Sequence, residues 1–201
     1  MSGYDRVVAS RHRADLEQLA VAWRDFFGVV DAWVPDVARL LEIELPKLLP
    51  GFALRILTRE EMPDEEARTW HSVPAINMRE DAYNALCNGD GRARFTGAHE
   101  LGHLFLHSGE SSPRAVKPIQ NTIPRHMSLE KQANDFAASF LMPEHVVRGQ
   151  FNTPAELSAG CRVSMEAATL RMKELLLWPK GRPPIPEVEE FLRKMRKLKE
   201  D

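Results

Sequence analysis

Residues 94–107 read RFTGAHELGHLFLH, and the five residues His99, Glu100, Leu101, Gly102 and His103 decide how the rest of the chain is to be understood. From Phe95 to His107 the stretch has the length and apolar spacing of a helix, with Gly109 ending it. Two imidazoles four residues apart on a helix leave the same face with a rise of about 6 Å between their origins, so both can reach one metal ion. Glu100 stands beside that face, where a carboxylate can take the proton of a water bound by the ion. Gly102 costs about 1 kcal/mol relative to alanine in a helix interior, which predicts that something passes close to it. His107 continues the series, but on a straight helix it starts about 12 Å from His99, too far for all three rings to share an ion. His71, His126 and His145 read as ordinary histidines, with His126 a candidate for contacting substrate.

A catalytic tetrahedral site with two imidazoles and a water needs one more protein ligand. Glu130 fits that place. It falls in the first turn of a helix expected from Ser128, whose hydroxyl caps it, to Leu141, with Pro143 closing it. Ala133, Asn134, Ala137 and Leu141 share its face at helical spacings, and the small alanines let this helix approach the first. Glu110 and Glu144 are alternative carboxylates. Asn134, one turn beyond Glu130, is placed to hold a ligand imidazole in one tautomer. Zinc is the expected ion, and Mn2+ or Fe2+ suits a His, His, Glu set as well.

Upstream, Leu16, Leu19, Ala20, Trp23 and Phe27 recur at helical spacing from about Arg11 to Phe27. A second helix begins near Pro35, carries Val37, Leu40 and Leu41, and is expected to stop before Pro46. Phe52 to Thr58 and Val73 to Met78 read as strands, and Asn88 to Gly91 as a turn. The strand at Ala75 to Arg79 is expected to offer an edge to an extended substrate, with Ala75, Asn77 and Arg79 in contact.

Downstream, Ser108 to Met127 is a long connection of the kind kept for function. Thr153, Pro154 and Glu156 form a capping box opening a helix to Ala159; a turn at Gly160 to Arg162 and a second helix from Met165 to about Leu177, capped by Ser164, complete helix-turn-helix proportions. Yet Arg148, Arg162, Arg171 and Lys173 are nearly balanced by Glu156, Glu166 and Glu174, which is thin support for holding nucleic-acid phosphates. After Trp178, PKGRPPIPE is a stiff linker. Val188, Phe191, Leu192, Met195 and Leu198 then make an amphipathic helix, with Glu189–Arg193 and Glu190–Lys194 on its outer face. The expected architecture is α+β: a mainly helical metallopeptidase-type domain with a small sheet (1–145), a helix-turn-helix-like unit (146–178), and a linker with a C-terminal amphipathic helix (179–201).

Composition sets the outer bounds. The 201 residues are 43% hydrophobic and 28% charged with a net charge of -2, an ordinary globular mixture without a general attraction to nucleic acid or anionic lipid. Cys87 and Cys161 lie far apart without metal-type spacing, which suits a reducing compartment. Charge interrupts every apolar stretch of MSGYDRVVASRHRADLEQLA, so neither a signal-peptide core nor a membrane span is drawn there, and a cytoplasmic location is expected.

RFTGAHELGHLFLH followed by EKQANDFAASFLMP resembles the ImmA/IrrE family of bacterial metallopeptidases. The resemblance spans the two expected helices, their Leu141, Met142, Pro143 exit and the strand at Ala75 to Arg79, about half the chain. It implies a zincin-like fold and maps zinc ligation onto His99, His103 and Glu130 and the motif glutamate onto Glu100. It also implies a protein substrate, a helix-turn-helix repressor encoded nearby. Three function classes follow: a repressor-cleaving endopeptidase, a DNA-binding regulator on a peptidase scaffold, and a metal-stabilised protein-binding module without turnover.

Overall fold

The stripe of Leu16, Leu19, Ala20 and Trp23 forms the buried side of helix α1 (Arg13–Phe26) in the computed structural model. The structure describes residues 5–70, 74–107, 123–176, 186, 188–190, 193 and 197. The linker up to 185, most of the expected C-terminal helix, the first part of the long connection after His107, and the individual residues His71, Gly109 and Glu110 lie outside the described residues. Val188 is described, and it is buried in the core.

The second helix departs from expectation. α2 (Val37–Arg39) runs through a π-helical turn, Leu40–Glu44, into α3 (Leu45–Leu48), so the chain stays helical past Pro46. Proline lacks an N–H and its ring crowds the carbonyl one turn back. Here the Leu45 N–H donates to the Leu40 carbonyl, and the widened turn just ahead of the ring makes room for it.

Three short strands follow: β1 (Ala53–Leu57), β2 (Ala67–Trp70) and β3 (Ala75–Arg79). Their order is β1-β3-β2, with β3 parallel to β1 and antiparallel to β2. The expected substrate edge is therefore not an edge. All five residues of β3 pair with β1, four of them pair with β2 on the other side, and the Arg79 N–H donates to Glu66, so the backbone of β3 is saturated. Local alternation marks a strand but does not encode its neighbours. Ile76 and Met78 point into the core with no exposed surface, and by the two-residue period Ala75, Asn77 and Arg79 face the other side of the sheet.

Helix α4 (Glu80–Cys87) leads through the turn at Gly89, with φ +77°, to α5 (Gly91–His107), four residues earlier than the apolar spacing began. Then come α6 (Leu129–Leu141), α7 (Glu144–Gln150), α8 (Pro154–Cys161) and α9 (Met165–Leu176). α1 packs on α5 and α6; the Trp23 and Phe105 rings stack at 3.6 Å between centroids. The fold is α+β, a helical body against one small mixed sheet. No helix among the described residues is long and apolar enough to cross a membrane.

The caps of the C-terminal pair are those expected. The Thr153 hydroxyl accepts from the Glu156 N–H, and Ser164 from Ala167. The pair is tied to the rest of the chain. Buried Arg94 of α5 donates to the carbonyls of Cys161 (2.5 Å), Arg162 (2.7 Å) and Pro35 (3.2 Å), and a methyl group at Gly91 would lie 3.0 Å from the Arg162 carbonyl. Both cysteines are free thiols. Burial pushes the Cys161 thiol up to about 11 against the opposing pull of Arg24 and Arg94, so it stays protonated at neutral pH.

Candidate metal centre

The first helix of the site is α5, which presents His99 and His103 on one face, and the second is α6, which brings Glu130 up to them. The His99 and His103 Nε2 atoms are 2.9 Å apart. Glu130 places Oε2 3.5 Å from the first and Oε1 3.6 Å from the second. Ligand atoms around a tetrahedral zinc with bonds near 2.05 Å stand about 3.3 Å apart, so the spread of these three distances fits one ion between them. Among the described residues this is the set of histidine, cysteine and carboxylate side chains that could hold a metal ion. His107 is buried one turn further on, its ring 5.8 Å from that of His103, and is not part of the set.

The close approach rests on Gly102. A methyl group there would meet the Ala133 Cα and carbonyl oxygen at 3.1 Å and a Phe136 ring carbon at 3.3 Å. Since Ala133 lies one turn beyond Glu130, a side chain at Gly102 would push the third donor away from the two rings. In Gly102→Ala, overpacking of about 1–3 kcal/mol should exceed the roughly 1 kcal/mol gain in helix propensity. We expect a lower denaturation midpoint together with weaker metal binding in a titration. A more stable variant with unchanged affinity would show that α6 yields freely.

Around the three donors, two contacts orient the site. Asn134 Oδ1 lies 3.0 Å from His99 Nδ1, so that nitrogen carries the proton and donates, leaving the Nε2 lone pair toward the centre. Glu100 is 5% exposed, and the Thr69 hydroxyl lies 2.6 Å from its Oε2 and 3.1 Å from its backbone carbonyl. Burial pushes the Glu100 carboxyl above its ordinary value, opposed by His99 and the Thr69 hydrogen bond. Burial alone would lower His99, but the Glu130 and Glu100 carboxylates outweigh it and hold the imidazole above its usual range.

Thr69 is a site residue that the sequence reading missed. It pairs with Ile76, so it projects from the sheet face that meets α5, opposite to Ala75, Asn77 and Arg79. Those three are accordingly not at the centre: Ala75 is buried, Asn77 Oδ1 is buried without a hydrogen-bond partner among the described residues, and Arg79 binds Asp81 and the Glu65 carbonyl. The His126 ring stacks on His12 at 4.9 Å, and the Tyr83 hydroxyl donates to Glu42. The alternative ligand Glu144 instead accepts from Arg148.

Comparisons with known proteins agree with this architecture. Residues 82–173 match the family model of the IrrE N-terminal-like domain, peptidase M78. The matched segment holds all of α5, α6, α7 and α8 and most of α9. A solved structure, a transcriptional regulator from Mycobacterium tuberculosis, is similar over 84% of this chain with a TM-score of 0.56 and 19% sequence identity. At that identity the likeness is one of fold. The chain spans 58% of the length of that structure. No curated protein matches the sequence.

Proposed function

Because residues 82–173 belong to the IrrE N-terminal-like domain family, we propose that the protein is a zinc-dependent endopeptidase that hydrolyses a peptide bond in a protein substrate. The observation that carries this reading is the pairing of a three-donor set, His99, His103 and Glu130, with a separate buried carboxylate, Glu100, on the next residue of the same helix. A site that only held a metal for stability has no use for the fourth group. A divalent cation held there supplies Lewis acidity and an activated water at neutral pH.

The protein's own groups do the rest. Glu100, poised above its ordinary value, accepts a proton from the attacking water and delivers it to the departing amine. The Thr69 hydroxyl holds Oε2, which leaves Oε1 as the proton-transferring oxygen. Asn134 keeps His99 in the tautomer that presents Nε2. An extended substrate adds to β2 rather than β3, since β2, unlike β3, is an edge strand among the described residues, and of the two edges it is the one whose Thr69 touches the base.

The substrate is a helix-turn-helix repressor encoded beside this chain, a class implied by the resemblance to the ImmA/IrrE family, and the location is the cytoplasm. A second reading, a regulator acting by binding, has one observation in its favour: the similar structure is called a transcriptional regulator. On this chain, however, the exposed surface of α9 carries Met165, Glu166, Leu170 and Lys173, a face without the basic excess that phosphate contacts require. The two readings part on incubation of the protein with the neighbouring repressor, with and without a chelator. The endopeptidase gives discrete fragments that the chelator abolishes. An intact repressor, with salt-dependent binding of duplex DNA, would establish the regulator instead.

A further inference from the structure

Glu130 lies in the first turn of α6, where the backbone N–H groups have no partner within the helix. An unsatisfied first turn frays, and a fraying turn cannot hold a metal ligand still. In this chain those amides are served from the far end of the sequence. The Leu129 N–H donates to the Arg6 carbonyl at 3.0 Å, and the Glu130 N–H to Asp5 Oδ1 at 3.2 Å. The Lys131 N–H donates to the Ser128 hydroxyl at 3.1 Å, and that hydroxyl donates onward to Asp5 Oδ2 at 2.7 Å. Both oxygens of one carboxylate thus fix the turn, one directly at Glu130 and one through the capping serine.

The residues around Asp5 make this contact part of a built interface. Val7 and Ser128 form an antiparallel bridge, and the Val8 and Arg11 N–H groups donate to the Met127 and His126 carbonyls at 2.9 and 2.8 Å. The buried Gln132 amide donates to the carbonyls of Ala9 and His126, both at 2.7 Å. A negative side chain at this end of α6 also complements the helix dipole.

We propose that Asp5 is a positioning residue for the metal centre, holding the first turn of α6 so that the Glu130 carboxylate faces His99 and His103. This rests on the metal-centre reading above, but not on turnover. Side chains that orient metal ligands typically contribute about 10- to 100-fold in metal affinity.

The test is a competition titration of the full-length protein with Zn2+ against a chromophoric chelator, for wild type, Asp5→Ala, Asp5→Asn and Glu130→Ala. Thermal melts of the metal-free proteins run alongside. We expect Asp5→Ala to weaken Zn2+ binding by about 10- to 100-fold. Asp5→Asn, which keeps one acceptor for the Glu130 N–H, should recover part of that loss. Both metal-free variants should melt as folded proteins. Loss of affinity in Glu130→Ala with wild-type affinity in Asp5→Ala would overturn the proposal while leaving the metal centre standing. An unchanged affinity in Glu130→Ala would remove the metal centre and this proposal together. If Asp5→Asn and Asp5→Ala lose melting temperature without losing affinity, Asp5 is a fold contact and the proposal fails.

Discussion

Glu100→Gln is expected to bind metal like the wild type and to cleave protein about 100- to 10,000-fold more slowly, the usual contribution of a general base. An amide is nearly isosteric with the carboxylate. Its oxygen can still accept from the Thr69 hydroxyl, so the side chain should keep its place beside α5. What it cannot do is take a proton from water, because the amide nitrogen has no free lone pair for one. The measurement is single-turnover cleavage of the proposed repressor substrate, with metal content determined on the same samples. A rate within a few-fold of wild type would remove Glu100 from the chemistry. A variant that lost its metal as well would instead place Glu100 in the structure of the site. Thr69 gives the comparison an internal control, since Thr69→Ser retains the hydroxyl that orients Oε2 and Thr69→Val does not.

The cluster of His99, His103 and Glu130, which could hold a metal ion, was legible in the sequence because helices carry their information locally. A spacing of four residues fixes the face on which His99 and His103 stand, and the same rule put Asn134 one turn from Glu130, where its oxygen meets His99. Ser128 as the cap of α6 is a signal contained in a few consecutive residues. The glycine inside α5 foretold a close neighbour, and the neighbour is Ala133.

What was not legible depends on pairing across distance. β2 is four residues long and half charged or polar, so no alternation announces it, and Thr69 had nothing to mark it as the partner of Glu100. The strand at Ala75 to Arg79 was recognised, but whether it is a centre or an edge is decided by β1 and β2. Asp5 reaches a residue 125 positions away. Short helices such as α4 and α7 carry too few turns for a periodic stripe, and Pro46 misled because the π turn before it is a tertiary accommodation.

The contact whose loss should cost the most stability is at Glu17 of α1. Glu17 is 7% exposed. One of its oxygens accepts the Glu144 N–H at 2.6 Å at the start of α7, and the other accepts from Arg171 of α9. Arg171 is 2% exposed and also donates to the Met142 carbonyl at 2.8 Å, at the end of the Glu130 helix. Three helices thus meet through one buried carboxylate. Glu17→Ala would leave a guanidinium and an amide without it, a loss expected to be about 3–5 kcal/mol. For a chain of this length that is a fall in Tm of roughly 6–20 °C. Replacing both partners, as in Glu17→Leu with Arg171→Met, should recover most of the loss, because the cost comes from removing one member of a buried ion pair rather than from lacking the pair. The shape of the melt carries the structural consequence. Arg94 on Cys161 and Arg162, and Arg13 bridging Asp135 of α6 to Glu174 of α9, bind the C-terminal pair to both helices of the candidate metal centre. A single transition, lowered as a whole in Glu17→Ala, is therefore expected by calorimetry. Two separated transitions would mean that residues 146–178 fold as a unit of their own and that these arginines do not couple them to the site.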